Sequence, residues 1–153
     1  MTNAIRYHWS ALNTLQKGMY GEYFAKMEFA MFGFLVFSSE VDDRGIDFVV
    51  RRSDGKHFDV QVKTITGTNY TFVKESKFDK DLVVCLIVLN EGNPPSSYLF
   101  VRDDWNTPSN RELLKLKKFD NASEAEYGFY LAQKREALLS KFEISARINL
   151  LSV

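Results

Sequence analysis

The sequence predicts a mixed α/β domain built on a central β-sheet flanked by helices, and three observations carry that expectation. Apolar residues recur at helical spacing from Asn13 to Gly33, at Leu15, Met19, Tyr23, Met27, Ala30 and Met31. Short segments of strand character follow, and two helix-start signals come late in the chain. The strand segments are Leu35 to Ser38, Ile46 to Arg52, His57 to Ile65, Tyr70 to Val73, Leu82 to Leu89 and Ser97 to Val101. Asp54-Gly55, between the second and third, marks a hairpin. Val83 to Val88 is apolar at every position, as expected of a central strand covered on both faces. Gly92, Asn93, Pro94, Pro95 and two serines read as a loop between strands. Late helices are expected where Ser109 is followed by Glu112 and Ser123 by Glu126, both at capping-box spacing, the second running to about Phe142.

With 153 residues, 45% of them hydrophobic and 14% aromatic, the chain has apolar mass for one well-filled core, so residues 1–153 are read as one domain. The longest apolar run, Leu82 to Leu89, is well short of the ~20 residues of a membrane-spanning helix, and Met1 to Ser10 holds no apolar signal region. The expectation is a soluble, cytoplasmic protein. Cys85, the single cysteine, lies inside the apolar run, which excludes disulfides and cysteine-rich zinc sites. Twenty basic residues balance twenty acidic ones, so any polyanion partner must be met by local basic patches or by oligomerisation.

Chemistry is suggested by two adjacent strands that carry polar residues at positions where apolar ones fit the pattern. In GIDFVV, Asp47 stands between Ile46 and Phe48. Burying a lone carboxylate there costs several kcal/mol. In FDVQVK, Phe58, Val60 and Val62 alternate with Asp59, Gln61 and Lys63, so the three polar side chains share one face. The Asp54-Gly55 hairpin brings Asp47 toward Gln61 and Lys63. Metal-assisted phosphodiester hydrolysis needs such a set: oxygen ligands for a hard cation, and an ammonium that orients water or offsets growing charge. A helix carboxylate completes it. Glu22 and Glu28 are candidates, and Glu22 is favoured because Gly18, Ala25 and Gly33 on its face let the helix approach a sheet closely.

A helical Glu, a GxD strand opening and a hairpin-linked (E/Q)xK strand resemble the PD-(D/E)XK nuclease superfamily. The matching residues are Glu22 in GEYFAK, Asp47 in RGIDFVV, and Gln61 with Lys63 in DVQVK. The Q-x-K form and small size are similar to intron-encoded homing endonucleases, and equally to small restriction-like nucleases. The resemblance implies a restriction-endonuclease-like fold, DNA as substrate, Mg²⁺ (or Mn²⁺) as cofactor, and a homodimer or homotetramer. It assigns Glu22, Asp47, Gln61 and Lys63 to catalysis, with Asp47, Gln61 and Glu22 as metal ligands. Gln61 stands where an acid is more usual; its amide carbonyl can ligate but brings no charge. Asp42, Asp43 and Asp59 are candidate helpers.

Lys26, Tyr70, Lys74, Lys77 and Lys80 are the candidate nucleic-acid contacts. The basic stretch Arg111 to Lys118 reads as an ordinary solvated face. His8 and His57 have no metal-ligand spacing, which argues against a histidine-based metal site. Each element alone has a plain structural explanation, an amphipathic strand or a turn-side ion pair. Order, spacing and same-face placement together point to the nuclease set. The alternative is a nuclease-fold DNA-binding or assembly subunit that does not cut.

Overall fold

The computed structural model describes residues 5–38, 40, 45–132 and 136–152. Asp42 and Asp43 lie outside them. Helix α1 (Thr14–Met31) starts where expected, with Asn13 and Gln16 exchanging the two hydrogen bonds of a capping box, each 2.9 Å. It ends in a Schellman arrangement. Gly33 N–H donates to Ala30 O, Phe34 N–H donates to Phe29 O, and the Phe29 and Phe34 rings meet edge-on.

Strands β1 (Leu35–Ser38), β2 (Phe48–Arg51), β3 (His57–Thr66), β5 (Leu82–Leu89) and β6 (Ser96–Phe100) form a sheet in the order β1-β2-β3-β5-β6. Only β3 and β5 pair in parallel; the sheet is mixed, as the sequence predicts. A second sheet, β4-β8-β7, joins β4 (Thr71–Lys74), β7 (Leu114–Lys117) and β8 (Glu126–Phe129). The β2–β3 connection is a tight turn in which Arg52 N–H donates to Lys56 O, with Gly55 at φ +94°.

β5 is buried at all eight positions because each of its faces has its own core. Val83, Cys85, Ile87 and Leu89 pack with Phe29, Phe48 and Val60 under α1. Val84, Leu86 and Val88 pack with Phe100, Trp105, Phe129 and Phe142 on the side of the second sheet. The five-stranded sheet is thus the middle of three layers.

Two expectations are corrected. The late helices are absent where the capping boxes placed them. Pro108–Asn110 makes one 3-10 turn before β7, Glu126 lies in β8, and among the described residues α-helix follows only at α2 (Glu136–Leu139) and α3 (Ile144–Arg147). The acids of the second signal serve tertiary contacts instead: Glu124 Oε1 accepts from Ser76 N–H and Glu126 Oε2 from Tyr70 OH. Alternation in Leu-Lys-Leu-Lys and the aromatic Tyr127 and Phe129 suit strands, and this outweighs a local cap signal. The helical stripe that defines α1 is also not its core face. Gly21, Ala25 and Phe29 are buried, whereas Leu15, Met19, Tyr23, Met27 and Met31 are exposed.

Candidate active site

The close approach of α1 to the sheet is made by Gly21, not by Gly18 or Gly33. A Cβ on Gly21 would sit 1.8 Å from Thr64 Oγ1, so the helix backbone rests directly on β3. Gly18 and Gly33 have no such neighbour. This contact sets the height of Glu22, the next residue, above the end of the β2–β3 pair.

Asp47 sits where β2 leaves β3. The ladder ends at Phe48↔Val60, and Asp47, the residue before it, leaves the regular register and also bonds to Val60. Asp47 N–H donates to Val60 O at 2.9 Å, and Val62 N–H donates to Asp47 Oδ2 at 2.6 Å. The carboxylate therefore takes over a β3 backbone donor that a continuing strand would use. This pins Asp47 at the sheet edge, half-buried, with charge-assisted hydrogen bonding compensating its burial.

Glu22 and Asp47 line one cleft of about 610 Å³, shared with Lys17, Thr64, Asn69 and Tyr70. Glu28 is not part of its lining. Glu22 Oε1 is 3.1 Å from Lys26 Nζ, which also donates to Ser38 Oγ. Lys26 is thus tied between α1 and β1 rather than extended into solvent.

β3 alternates as the sequence predicts. Phe58 and Val60 are buried in the core under α1, while Asp59, Gln61 and Lys63 are half-buried on the other face. Lys63 feels the Asp47 charge. Burial pushes its ammonium below the usual lysine value, Asp47 opposes that shift, and Lys77 adds to it. Gln61 Oε1 is buried and finds no hydrogen-bond partner among the described residues. A Cβ on Gly45 (φ +74°) would lie 3.1 Å from Gln61 Nε2, so only glycine leaves the amide this position without a further push. Neither Gln61 nor Lys63 lines the Glu22–Asp47 cleft; both stand on the opposite face of β3. Asp59 lines a separate cleft of about 480 Å³ with Lys77 and Arg102.

Lys74, Lys77 and Lys80 are exposed, and Tyr70 links the first cleft to the outer face of the second sheet. Cross-strand register puts Phe72 beside Gly128 and Lys115, and Lys74 beside Glu126 and Lys117. Lys115 Nζ stands 4.9 Å from the Tyr130 ring centroid and Lys117 Nζ 4.8 Å from that of Phe119. Sequence reasoning left these two lysines to an ordinary surface; the period-two run Leu114–Lys117 was the signal that joins them to Tyr70.

Among the described residues no group of three His, Cys, Asp or Glu side chains could hold a metal ion. Glu22 and Asp47 offer the cleft two carboxylates, donors that suit a hard cation, while the unsatisfied Gln61 carbonyl is a further oxygen donor that lies outside the lining of that cleft.

A search of solved structures finds a bacterial homing endonuclease, I-Ssp6803I, with a TM-score of 0.55, 16% sequence identity, and 92% of this chain and 95% of that chain covered. The chain folds like a homing endonuclease. At this identity the likeness establishes the fold and leaves the chemistry to the residues. No family model and no curated protein sequence matches the chain. Among the described residues no helix is long and apolar enough to cross a membrane.

Proposed function

We propose that this protein is a Mg²⁺-dependent DNA endonuclease of the PD-(D/E)XK type, in its Q-x-K form, with Glu22, Asp47, Gln61 and Lys63 as its active-site residues. The observation that carries the reading is the anchoring of Asp47 on Val62 N–H, within electrostatic reach of Lys63 and across one cleft from Glu22. Homing or restriction-type cleavage in the cytoplasm is the finer reading; it rests on the fold-likeness to I-Ssp6803I and the motif resemblance.

Glu22, Asp47 and the Gln61 carbonyl would hold the cation, which when bound supplies Lewis acidity and charge neutralisation at the scissile phosphate. The protein's own residues do the positioning. Val62 N–H fixes one oxygen of Asp47, so the carboxylate keeps its direction without reorganising as charge develops. Lys63, with its proton less tightly held than an exposed lysine's, is suited to orient the attacking water and to balance negative charge on the phosphate. Lys26 holds Glu22 in place. Tyr70, Lys74, Lys77 and Lys80, joined by Lys115 and Lys117, form the surface offered to the DNA backbone, with aromatic rings between the cations.

The test is cleavage of supercoiled plasmid by pure protein with Mg²⁺, Mn²⁺ or Ca²⁺. Nicked or linear product in Mg²⁺ that disappears in Asp47→Asn and Lys63→Met supports the reading. Tight DNA binding with no cleavage in any metal replaces it with a non-cutting nuclease-fold subunit, which the uncharged Gln61 would favour.

A further inference from the structure

The second sheet turns one face to the core and the other outward. Val73, Leu114, Tyr127 and Phe129 point inward and are buried. Strand alternation and register place Phe72 and Lys74 of β4, Glu126 and Gly128 of β8, and Lys115 and Lys117 of β7 on the outward side. Tyr70 and Tyr130, just beyond the paired segments, continue that side. A Cβ on Gly128 would lie 2.6 Å from the Tyr70 hydroxyl oxygen and 3.0 Å from Tyr130 Cε2, so the missing side chain lets both rings lie down on the sheet. The Tyr70 ring centroid is 5.3 Å from that of Tyr130 and 5.8 Å from that of Phe72, the latter pair within 25° of parallel. Although it packs on the sheet, Tyr70 is 43% exposed. Its hydroxyl donates to Glu126 Oε2 at 2.9 Å, which fixes the ring and occupies the one carboxylate among these outward residues. Three ammoniums stand around the rings: exposed Lys74, Lys115 4.9 Å from the Tyr130 centroid, and Lys117 4.8 Å from that of Phe119. Tyr70 and Thr71 also line the Glu22–Asp47 cleft, so the ring platform and the cleft share a border.

We propose that this outward face holds an unpaired DNA strand by base stacking. With the neighbouring cleft read as an endonuclease site, a reading on which this step rests, the substrate is DNA with a single-stranded segment beside the bond to be cut, such as a fork or a flap. Stacking decides the form of the substrate. In a duplex every base has a neighbour on each π face, and an approach from the side meets only groove edges and phosphates. A ring lying flat on a sheet is matched by a base whose face is open. The interleaving of rings and ammoniums lets one strand set its bases on Tyr70, Phe72 and Tyr130 and its phosphates on Lys74, Lys115 and Lys117. An acidic peptide would satisfy the lysines and leave the rings without a planar partner. The shared border at Tyr70 selects the strand as well, because a chain stacked there runs directly into the cleft that Asp47 lines.

Binding in Ca²⁺ tests the face apart from any cutting. By fluorescence anisotropy at equal salt, an oligo(dT) of ~16 nucleotides should bind at least ~10-fold tighter than a blunt duplex of the same length. Tyr70→Leu and Phe72→Leu should each lower that preference by ~5–150-fold, the worth of one stacked base, while Tyr70→Phe, which keeps the ring, should retain it. Should the leucine variants lose their far-UV circular dichroism, the wild type decides: an oligonucleotide with iodouracil in place of thymine should photo-cross-link to Tyr70, Phe72 or Tyr130. Equal affinity for duplex and oligo(dT), a preference that folded Tyr70→Leu and Phe72→Leu both keep, or cross-links that map away from the second sheet each overturn the proposal. So does oligo(U) binding tighter than oligo(dT), which would make RNA the occupant. Cleavage in Mg²⁺ is scored separately on a forked DNA and on its duplex arm alone. Cutting beside the fork supports both readings. Cutting of the duplex with no preference for the fork keeps the endonuclease and removes the unpaired strand, whereas stacking on the rings with no cutting keeps the strand site and removes the endonuclease.

Discussion

The two faces of β3 are one strand put to opposite uses. Phe58 and Val60 sit in the core beneath α1, and Thr64 touches Gly21. On the other face Asp59, Gln61 and Lys63 are half-buried polar groups, with Lys63 held below its usual pKa and Gln61 Oε1 without a partner among the described residues. A fold selected only for stability would not keep that second set. Under the proposed function the difference separates residues whose loss costs folding from residues whose loss costs chemistry.

The largest expected effect lies at the point where the two faces meet. Asp47→Asn keeps an oxygen for Val62 N–H but removes the charge that faces a cation, so plasmid cleavage should fall by at least ~10³-fold while the melting temperature holds. Loss of folding in this variant would mean Asp47 is a structural anchor alone. On the core face, Phe58→Ala should cost about 3–5 kcal/mol in urea unfolding, with cleavage per folded molecule unchanged. Lys63→Met is its mirror image. Cleavage should drop roughly 10²–10³-fold while stability stays level or rises, because a desolvated ammonium is removed.

The Lys63 shift has a signature in pH. Its folded pKa lies below its unfolded value, so between the two the unfolded chain binds more protons and stability rises with pH. Thermal melts from the lowered Lys63 pKa up toward 10.5 should show a gain in wild type that Lys63→Met lacks. Parallel curves for the two proteins would show that burial does not disfavour the Lys63 charge. The smallest effect is expected of Gln61→Glu, which restores an acid: cleavage is retained, and the Mg²⁺/Mn²⁺ preference measured by titration shifts.

Much of the first half of the molecule was legible. The helix start at Asn13, the Asp54-Gly55 turn and the all-apolar Leu82–Leu89 run are local signals that nothing in the tertiary structure contests. Glu22 lines the cleft with Asp47 and Glu28 does not, but of the small residues named for the helix approach Gly18 and Gly33 touch nothing, since a lone sequence does not reveal that Gly21 is the one lying on Thr64. The α1 stripe misled because apolar spacing cannot tell a core face from an outer face of equal periodicity. Between residues 109 and 142 the capping signals lost to pairing with β4, a partner some fifty residues upstream that no local window contains. Side-chain alternation on β3 was readable, but Asp47 capturing Val62 N–H was not, because it depends on where β2 lets go.

The route from β3 to β5 has a consequence for how the chain folds. Parallel neighbours are usually joined by a helix, but here the crossover runs through β4, which pairs in another sheet with β8. β4 therefore has no ladder until residues 126–129 arrive, and that closure of a long loop is slow to form. Amide hydrogen exchange should divide the molecule accordingly, with β3 and β5 exchanging only through global unfolding and β4, β7 and β8 opening earlier as one cooperative unit. In such a partly open state the outer lysines of β7 separate from the Asp47 hairpin while that hairpin stays intact, so the surface proposed to meet a polyanion would be softer than the cleft beside Asp47.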